Sequence, residues 1–307
     1  MNEWGDKVEF IKEEDIRALF PPRPADCHKG NFGYVALIGG SIEYSGAIRL
    51  AALANAAMRS GAGVATVAAP RSICPVIAKD IMEATLFPLG DDNGELVFKE
   101  SEFEPLCARY DCIAIGMGIG NTEETGKAVE YLLTHYDKTL IIDADGLNAM
   151  SRIDHSVIRN CKARLVLTPH LKEFSRISGV PVEKVKADPV DAAADLAREL
   201  DATVLLKGKD TVVAGLDPAC ENGDVRIMIS SSGCPGMSTA GSGDVLSGIL
   251  SALCVNRQDI VKCVAAGAYI NGAAGELAQS MRSEVTMTSL DTANCVAAVI
   301  ERIIRNE

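Results

Sequence analysis

The chain has 307 residues, 48% of them hydrophobic, with a formal net charge of -12 and a pI near 4.9. That is enough apolar material for one large or two modest cores, and the acidic balance argues against a nucleic-acid-binding surface while suiting a soluble protein. Ten cysteines are scattered from Cys27 to Cys295 without a CxxC pair or zinc-like spacing, so they read as reduced core fillers of a cytoplasmic protein rather than a disulfide or metal framework.

The opening MNEWGDKVEFIKEEDI carries charges where a secretory segment needs an apolar stretch. No uninterrupted apolar run reaches the roughly 18 residues of a membrane helix, so no membrane contact is expected. Residues 1–30 pass through PPRPADCHKGNFG, too rich in Pro and Gly for a continuing helix. They are expected to form an N-terminal extension lying over the surface or across an edge of a single domain at 31–307.

The first apolar strand is YVALI at 34–38, and GAIRLAALANAAMRSG at 46–61 repeats small and apolar residues at helical spacing. VATVAA at 64–69 is a short β-rich run, and CIAIG, TLIIDA, RLVLTP and ATVLLKG recur after helix-like intervals. Near-continuous apolar strands alternating with helices predict an α/β, three-layer αβα fold with a predominantly parallel central sheet. GLDPACENGDVRIMISSSG, starting at Gly215, reads as a polar turn and then a strand, an edge hairpin ahead of a glycine cluster.

Loops just past the C-terminal ends of parallel strands meet along one rim, where open α/β sheets bind ligands. Five segments fall there. GGSIEYSGA at 39–47 brings Ser45, Gly46 and Ala47 to the next helix, either for ligand approach or for close helix packing. GMGIGN at 116–121 matches a dinucleotide fingerprint only weakly, since it sits mid-chain and leads into NTEETGKAVEYLL, whose Asn121 or Thr122 suits a helix cap. Asp143 and Asp145 in DADGLN suit magnesium or ligand hydroxyls, or simply loop hydrogen bonds. His170 and Glu173 in TPHLKE suit substrate contact, with Glu173 equally suited to capping the next helix. Lys207 and Lys209 in KGKDT suit phosphate neutralisation, or an exposed hairpin.

The densest signal is GCPGMSTAGSGDVLSGIL at 233–250. Gly241 and Gly243 allow close approach of the backbone, and the helix that follows would offer free amides to an anion. Asp244, at the same helix start, has two open roles: a base that takes a hydroxyl proton during phosphoryl transfer, or a cap that does no chemistry. AGSGD is not a Walker loop, because no lysine and Ser/Thr follow the glycines.

Together HKGNFG at 28–33, GGSIEYSGA, RSGAG at 59–63, GMGIGN, DADGLN, TPHLKE, KGKDT and GCPGMSTAGSGDVLSGIL closely resemble, in content and order, the ADP- or ATP-dependent NAD(P)H-hydrate dehydratases, a ribokinase-like family. The resemblance covers about residues 10–303. It implies phosphorylation of the ring hydroxyl of hydrated NADH or NADPH and elimination of phosphate, with Mg²⁺ and with ADP or ATP as phosphoryl donor. Carried over by residue, it implies Asp244 as the base and Gly241, Ser242 and Gly243 as phosphate-stabilising neighbours. Ala47, Gly118, His170 and Asp244 become substrate contacts, and Lys207, Gly208, Lys209, Asp210, Thr211 and Gly243 the nucleotide site. Asp143, Asn148 and Glu173 are left as supporting residues, and no side chain is assigned as a direct metal ligand. The resemblance also implies pairing with a separate NAD(P)H-hydrate epimerase and a homo-oligomer, as a tetramer. One departure stands out: Cys234 occupies a position where the family commonly has Asn, and a thiol supplies neither the amide donor nor the carbonyl acceptor. Two other functions fit the same letters, a small-molecule hydroxyl kinase of this fold and a noncatalytic nucleotide sensor.

Overall fold

A computed structural model describes residues 8–53, 61–217 and 224–306. The main sheet contains strands β1 (Val8–Phe10), β2 (Tyr34–Ile38), β3 (Val64–Pro70) and β4 (Thr85–Leu89). After a small hairpin of β5 (Asp91–Asp92) and β6 (Glu95–Leu96), it continues with β7 (Cys112–Ile115), β8 (Thr139–Ile142), β9 (Arg164–Leu167), β10 (Ala202–Leu206), β11 (Thr211–Leu216) and β12 (Val225–Ser230). Their order is β1-β12-β11-β10-β9-β8-β7-β2-β3-β4, and every neighbouring pair is parallel except β10 with β11 and β11 with β12.

The period of two along each strand divides the apolar residues between two cores. Val35, Leu37, Cys112, Ala114, Ile141, Val166 and Leu205 face one side, where they pack with the helices Ser45–Ala52, Ser242–Leu253, Ile260–Met281 and Ser289–Arg305. Ala36, Ile38, Ile113, Ile115, Leu140, Ile142, Leu167 and Leu206 face the other, with the helices Glu100–Arg109, Glu123–His135, Ala144–Met150, Leu171–Ser178 and Pro189–Leu200. Strands buried on both faces have no polar positions to alternate with, which is why they read as continuous apolar runs. The result is the three-layer αβα architecture.

Two features differ in detail from the sequence expectation. The stretch around β12 does form an antiparallel pair with β11, but β1 pairs parallel to β12 through Val8–Ile227, Glu9–Met228 and Phe10–Ile229, so the hairpin is not the sheet edge. Its turn, residues 218–223, lies outside the described residues, as do Cys220 and residues 54–60, which include the end of the predicted helix and the first part of RSGAG. Residues 11–20 also enter the core through Ile11, Ile16 and Leu19. Among the described residues the cysteines are all free, with Cys74, Cys112, Cys254, Cys263 and Cys295 buried. No helix of the described residues is long and apolar enough to cross a membrane.

HKGNFG and the described end of RSGAG, residues 61–63, lie at the far end from the rim described next. His28 caps a short helical turn over Lys29–Phe32, Gly33 leads into β2, and Gly63 packs so closely on the Lys29 carbonyl that a Cβ there would sit 1.9 Å from it. These motifs shape the N-terminal ends of β2 and β3 and contribute nothing to the opposite rim.

Candidate active site

At the C-terminal ends of β2, β7, β8, β9 and β10 the five loops are tied to one another in a row. Gly40 N–H donates to the Met117 carbonyl at 2.8 Å, joining GGSIEYSGA to GMGIGN. Gly118, at φ +62, leaves no space for a side chain: a Cβ would come 2.7 Å from both the Ala47 Cβ and the Tyr44 carbonyl. Ala47 and Gly118 therefore meet, as two proposed substrate contacts should. Gly120 N–H donates to Asp145 at 3.0 Å, and this links GMGIGN to DADGLN. Further along, Lys207 N–H donates to the Pro169 carbonyl at 2.9 Å and bridges the backbone of His170.

Asp143 sits at the centre, 1% exposed. Its Oδ1 accepts from Lys207 Nζ at 2.6 Å and from Thr168 Oγ1 at 2.7 Å, and its Oδ2 accepts from Ser247 Oγ at 2.7 Å. Burial alone would push this carboxyl up, but the Lys207 ammonium and the hydroxyl donors outweigh it and hold Asp143 below the usual carboxylate range. Lys207 behaves as its mirror image: burial disfavours the ammonium, yet Asp143, Glu173 and Asp244 keep it charged and raise its pKa. With all its nearby donors supplied by protein, Asp143 acts as the anchor of Lys207 rather than as a free ligand.

Opposite this pair begins the helix Ser242–Leu253. Gly241, at φ +94, turns the chain into it, where a Cβ would strike Leu50 at 2.4 Å. Ser242 Oγ donates to the Met237 carbonyl at 2.8 Å, and Ser289 Oγ donates to the Ala240 carbonyl at 2.7 Å, so the turn is braced from two sides. Thr288 and Asp291 hold Ser289 in place through a capping box at the start of its own helix. The amides of Ser242, Gly243 and Asp244 have no acceptor within the helix, and among the described residues none donates to another backbone carbonyl. Gly243 faces the ion pair: a Cβ there would lie 3.3 Å from Lys207 Nζ and 3.7 Å from Asp143 Oδ2.

The capping role left open for Asp244 is not realised. Gly241 is the cap, no side chain caps this helix, and among the described residues no hydrogen bond or ion pair engages the Asp244 carboxylate. Burial, and then the negative charges of Asp143 and Asp145, push its pKa up to about 7 against the pull of Lys207. A half-buried carboxylate with free oxygens, titrating near neutrality beside a fixed ammonium and exposed amides, is suited to taking a proton from a hydroxyl.

The remaining predicted residues divide. His170 Nδ1 accepts from Lys172 N–H and Glu173 N–H at 3.1 and 3.2 Å, and Glu173 Oε2 accepts from His170 N–H at 2.9 Å. Both are helix-capping residues, yet the exposed His170 ring stands at the rim and buried Glu173 is pushed up to about 6 by desolvation. Asn148 is turned outward, to Arg176 and, at 3.4 Å, to Asp145. KGKDT joins β10 to β11 as an antiparallel hairpin, so the hairpin reading holds while Lys207 still points inward. Lys207, Gly208, Lys209, Thr211 and Gly243 line a cavity of about 600 Å³ that ends against Cys234, Asn271 and Gly272; exposed Asp210 is not part of its wall. In GMGIGN the cap of the next helix is Thr122, whose Oγ1 accepts from Thr125 N–H at 3.2 Å.

Thr168 and Ser247 were not singled out from sequence. Ser247 carried a usable signal: it follows Asp244 by one helical turn, on the same face. Ser247→Ala is expected to cost about 1.5–3 kcal/mol, the range for a hydrogen bond to a charged group, measured as a shift of the denaturation midpoint; an unchanged midpoint would remove Ser247 from the anchor. Size does not pick the site. A larger cavity of about 710 Å³ opens at the opposite end of the strands, lined by Leu19, Phe20, Phe32, Val255 and Ile304 among others, away from the Asp143–Lys207 pair.

The sequence model of the NAD(P)H-hydrate dehydratase family matches residues 35–296, a span that contains every element of this rim. The chain belongs to that family. A bifunctional NAD(P)H-hydrate repair enzyme from Moorella thermoacetica is 36% identical over 290 residues, covering 94% of this chain and 53% of the relative, so the chain spans about half of that relative's length. An ADP/ATP-dependent NAD(P)H-hydrate dehydratase from Bacillus subtilis, co-crystallised with ATP/Mg²⁺, superposes with a TM-score of 0.79 at 30% identity, covering 96% of this chain and 99% of that one. A ribokinase-like superfamily protein from Enterococcus faecalis shares the fold with a TM-score of 0.81 at 22% identity, covering 99% of both chains. The dehydratase-family chain is thus ribokinase-like in architecture.

Its departure at Cys234 can now be placed. Cys234 is half-buried on the cavity wall, and the following Pro235–Met237 turn closes through Met237 N–H to the Cys234 carbonyl at 3.1 Å. Glu276 and Gln279 accept from the amides of Gly233 and Gly236 at 2.8 and 3.0 Å. The turn is held by backbone and by the helix Ile260–Met281, so its shape does not need an amide side chain at 234.

Proposed function

We propose that this protein dehydrates hydrated NADH or NADPH at the expense of ADP or ATP. The observation that carries the reading is the unbonded Asp244 carboxylate beside Lys207 and the free helix amides, in a chain of this family. Asp244 takes the proton of the ring hydroxyl, and the oxygen attacks the terminal phosphorus of the nucleotide. The bond to AMP (from ADP) or to ADP (from ATP) breaks, while the free amides of Ser242, Gly243 and Asp244 and the Lys207 ammonium offset the charge on the transferred group. Phosphate is a far better leaving group than hydroxide. The ring nitrogen's electron pair expels it, and loss of a proton from the neighbouring ring carbon restores the reduced dinucleotide.

In this reading the hydrate contacts Ala47, Gly118 and His170, and the nucleotide takes the cavity lined by Lys207, Gly208, Lys209 and Thr211. Among the described residues no group of three or more His, Cys, Asp or Glu is placed to hold a metal. Magnesium typically keeps several waters and rides on the phosphates, which fits a rim where no side chain is assigned as its direct ligand; when bound, it would neutralise phosphate charge. Pairing with an NAD(P)H-hydrate epimerase and assembly as a homo-oligomer, as a tetramer, are carried by the family resemblance.

Incubating the protein with hydrate, Mg²⁺ and ADP or ATP is expected to restore the reduced-cofactor absorbance with release of phosphate. A stable phosphorylated product in mass spectra would point instead to a hydroxyl kinase, and nucleotide binding without turnover to a sensor.

A further inference from the structure

The nucleotide cavity has two ends of different chemistry. One end is the phosphate end, with Lys207 and Gly243. The other is walled by Cys234, Pro235, Met237, Leu246 and Ala268, a slot of small and apolar surfaces between the glycine-rich loop and two helices. Into this apolar end comes a single side-chain amide, Asn271, on the helix Ile260–Met281. It is 7% exposed, and among the described residues its Oδ1 is buried without a hydrogen-bond partner.

An amide in such a place is costly. A buried polar group without a partner has given up its water bonds for nothing, and nearly all buried polar groups in folded proteins are satisfied. The neighbouring positions Gly272 and Gly275 are tightly packed against Ser232 and Met237, so the helix is pressed onto the cavity wall and the amide is held there rather than swinging to solvent. The Asn271 oxygen calls for a donor, and a flat ring that also accepts from the amide nitrogen beside it would engage the whole amide. The adenine edge does: its 6-amino group donates and the adjacent ring nitrogen accepts, matching an Asn amide in a bidentate pair. Along the edge formed by the 6-substituent and N7, a 6-oxo purine presents two acceptors, so neither orientation of the amide can make both bonds.

From this geometry we infer that Asn271 reads the base of the phosphoryl donor, selecting adenine nucleotides over 6-oxopurine nucleotides. The inference rests on the nucleotide reading of this cavity and adds to it the group that makes the donor an adenine nucleotide rather than any purine nucleotide. Asn271 takes no part in the phosphoryl transfer itself, which lies at the other end of the cavity.

Dissociation constants for ADP and IDP, measured by calorimetry on the whole chain, test this. The ratio of the two constants within one protein preparation is insensitive to the fraction that is folded. The wild-type chain is expected to bind ADP about tenfold to a hundredfold more tightly than IDP, and Asn271→Leu, of similar size but without the amide, is expected to bring that ratio to about one. Should Asn271→Leu fail to fold, Asn271→Ala removes both the donor and the acceptor without adding bulk, and the same collapse of the ratio is expected. A ratio in the variants equal to that of the wild type overturns the inference, and so does a wild-type chain that binds ADP and IDP alike. Loss of all nucleotide binding by the wild-type chain would instead overturn the nucleotide reading of the cavity.

Discussion

Asp244→Asn is expected to lower turnover about a hundredfold to ten-thousandfold, the range for losing a positioned general base, while leaving nucleotide binding largely intact. The same substitution is expected to leave the melting temperature unchanged or to raise it. The folded state holds the Asp244 carboxyl up at about 7, well above its ordinary value of 3.8, because burial and the nearby Asp143 and Asp145 disfavour its charge. A raised carboxyl pKa means that the folded form binds the proton more tightly than the unfolded one, so stability falls as pH rises from about 4 to about 7 and is flat above. Asn never ionises and escapes that loss. Its gain over the wild-type chain is therefore expected to be larger at pH 8 than at pH 5, which calorimetry at the two pH values would check. For the wild-type enzyme the corresponding rate profile rises with pH through about 7 and then levels, since the base works only when deprotonated. A rate that does not change in Asp244→Asn, or a profile flat from pH 5 to 8, would remove Asp244 from this role. A stability gain paired with a loss of rate is the expected mark of an active-site acid placed against its neighbours' charge.

Asp143→Ala is expected to be the most damaging change to the fold in this region. It leaves the Lys207 ammonium and the hydroxyls of Thr168 and Ser247 facing a cavity where a carboxylate had accepted from all three. Removing one partner of a buried pair costs about 3–5 kcal/mol; Lys207 is one quarter exposed and regains some hydration, so about 3 kcal/mol is the expected loss. Urea denaturation measures it. Asp143→Asn is expected to lose less stability, because it keeps an acceptor for the hydroxyls, but to weaken nucleotide binding because Lys207 is no longer held by charge. If Asp143→Ala unfolds at the wild-type urea concentration, the central place given to this ion pair is wrong.

Much of this was legible along the chain. Continuous apolar runs such as CIAI and TLII have a single comfortable environment, the middle of a sheet covered on both faces, and so the layered α/β architecture follows from composition and period. The glycines at 241 and 243 marked the anion-facing helix start for a similar reason, since the left-handed backbone of Gly241 favours glycine and Gly243 keeps the backbone open toward Lys207. The family motifs drew attention to the right five loops.

Other properties depended on which groups meet in space, and spacing along a chain does not encode that. Asp143, Thr168, Lys207 and Ser247 are up to 104 positions apart in sequence, yet they share one carboxylate. Nothing local distinguishes DADGLN as a buried anchor from DADGLN as a metal ligand, because the difference is whether protein donors already occupy the oxygens. The capping alternative for Asp244 fell to the same kind of fact: Gly241 caps the start of the helix, and among the described residues the Asp244 carboxylate has no donor. HKGNFG and RSGAG looked equal in rank to the rim motifs, yet HKGNFG and the described residues 61–63 lie at the other end of the strands, since direction along a parallel sheet is a property of the assembled fold. The amino-acid sequence alone thus determined the layers, the rim loops and the candidate residues through local conformational preference and periodic burial. Only the tertiary structure decided which charges are paired, which are free and which amide lies unpartnered in the cavity, because desolvation and hydrogen bonding act between groups that the fold, and not the chain order, makes neighbours.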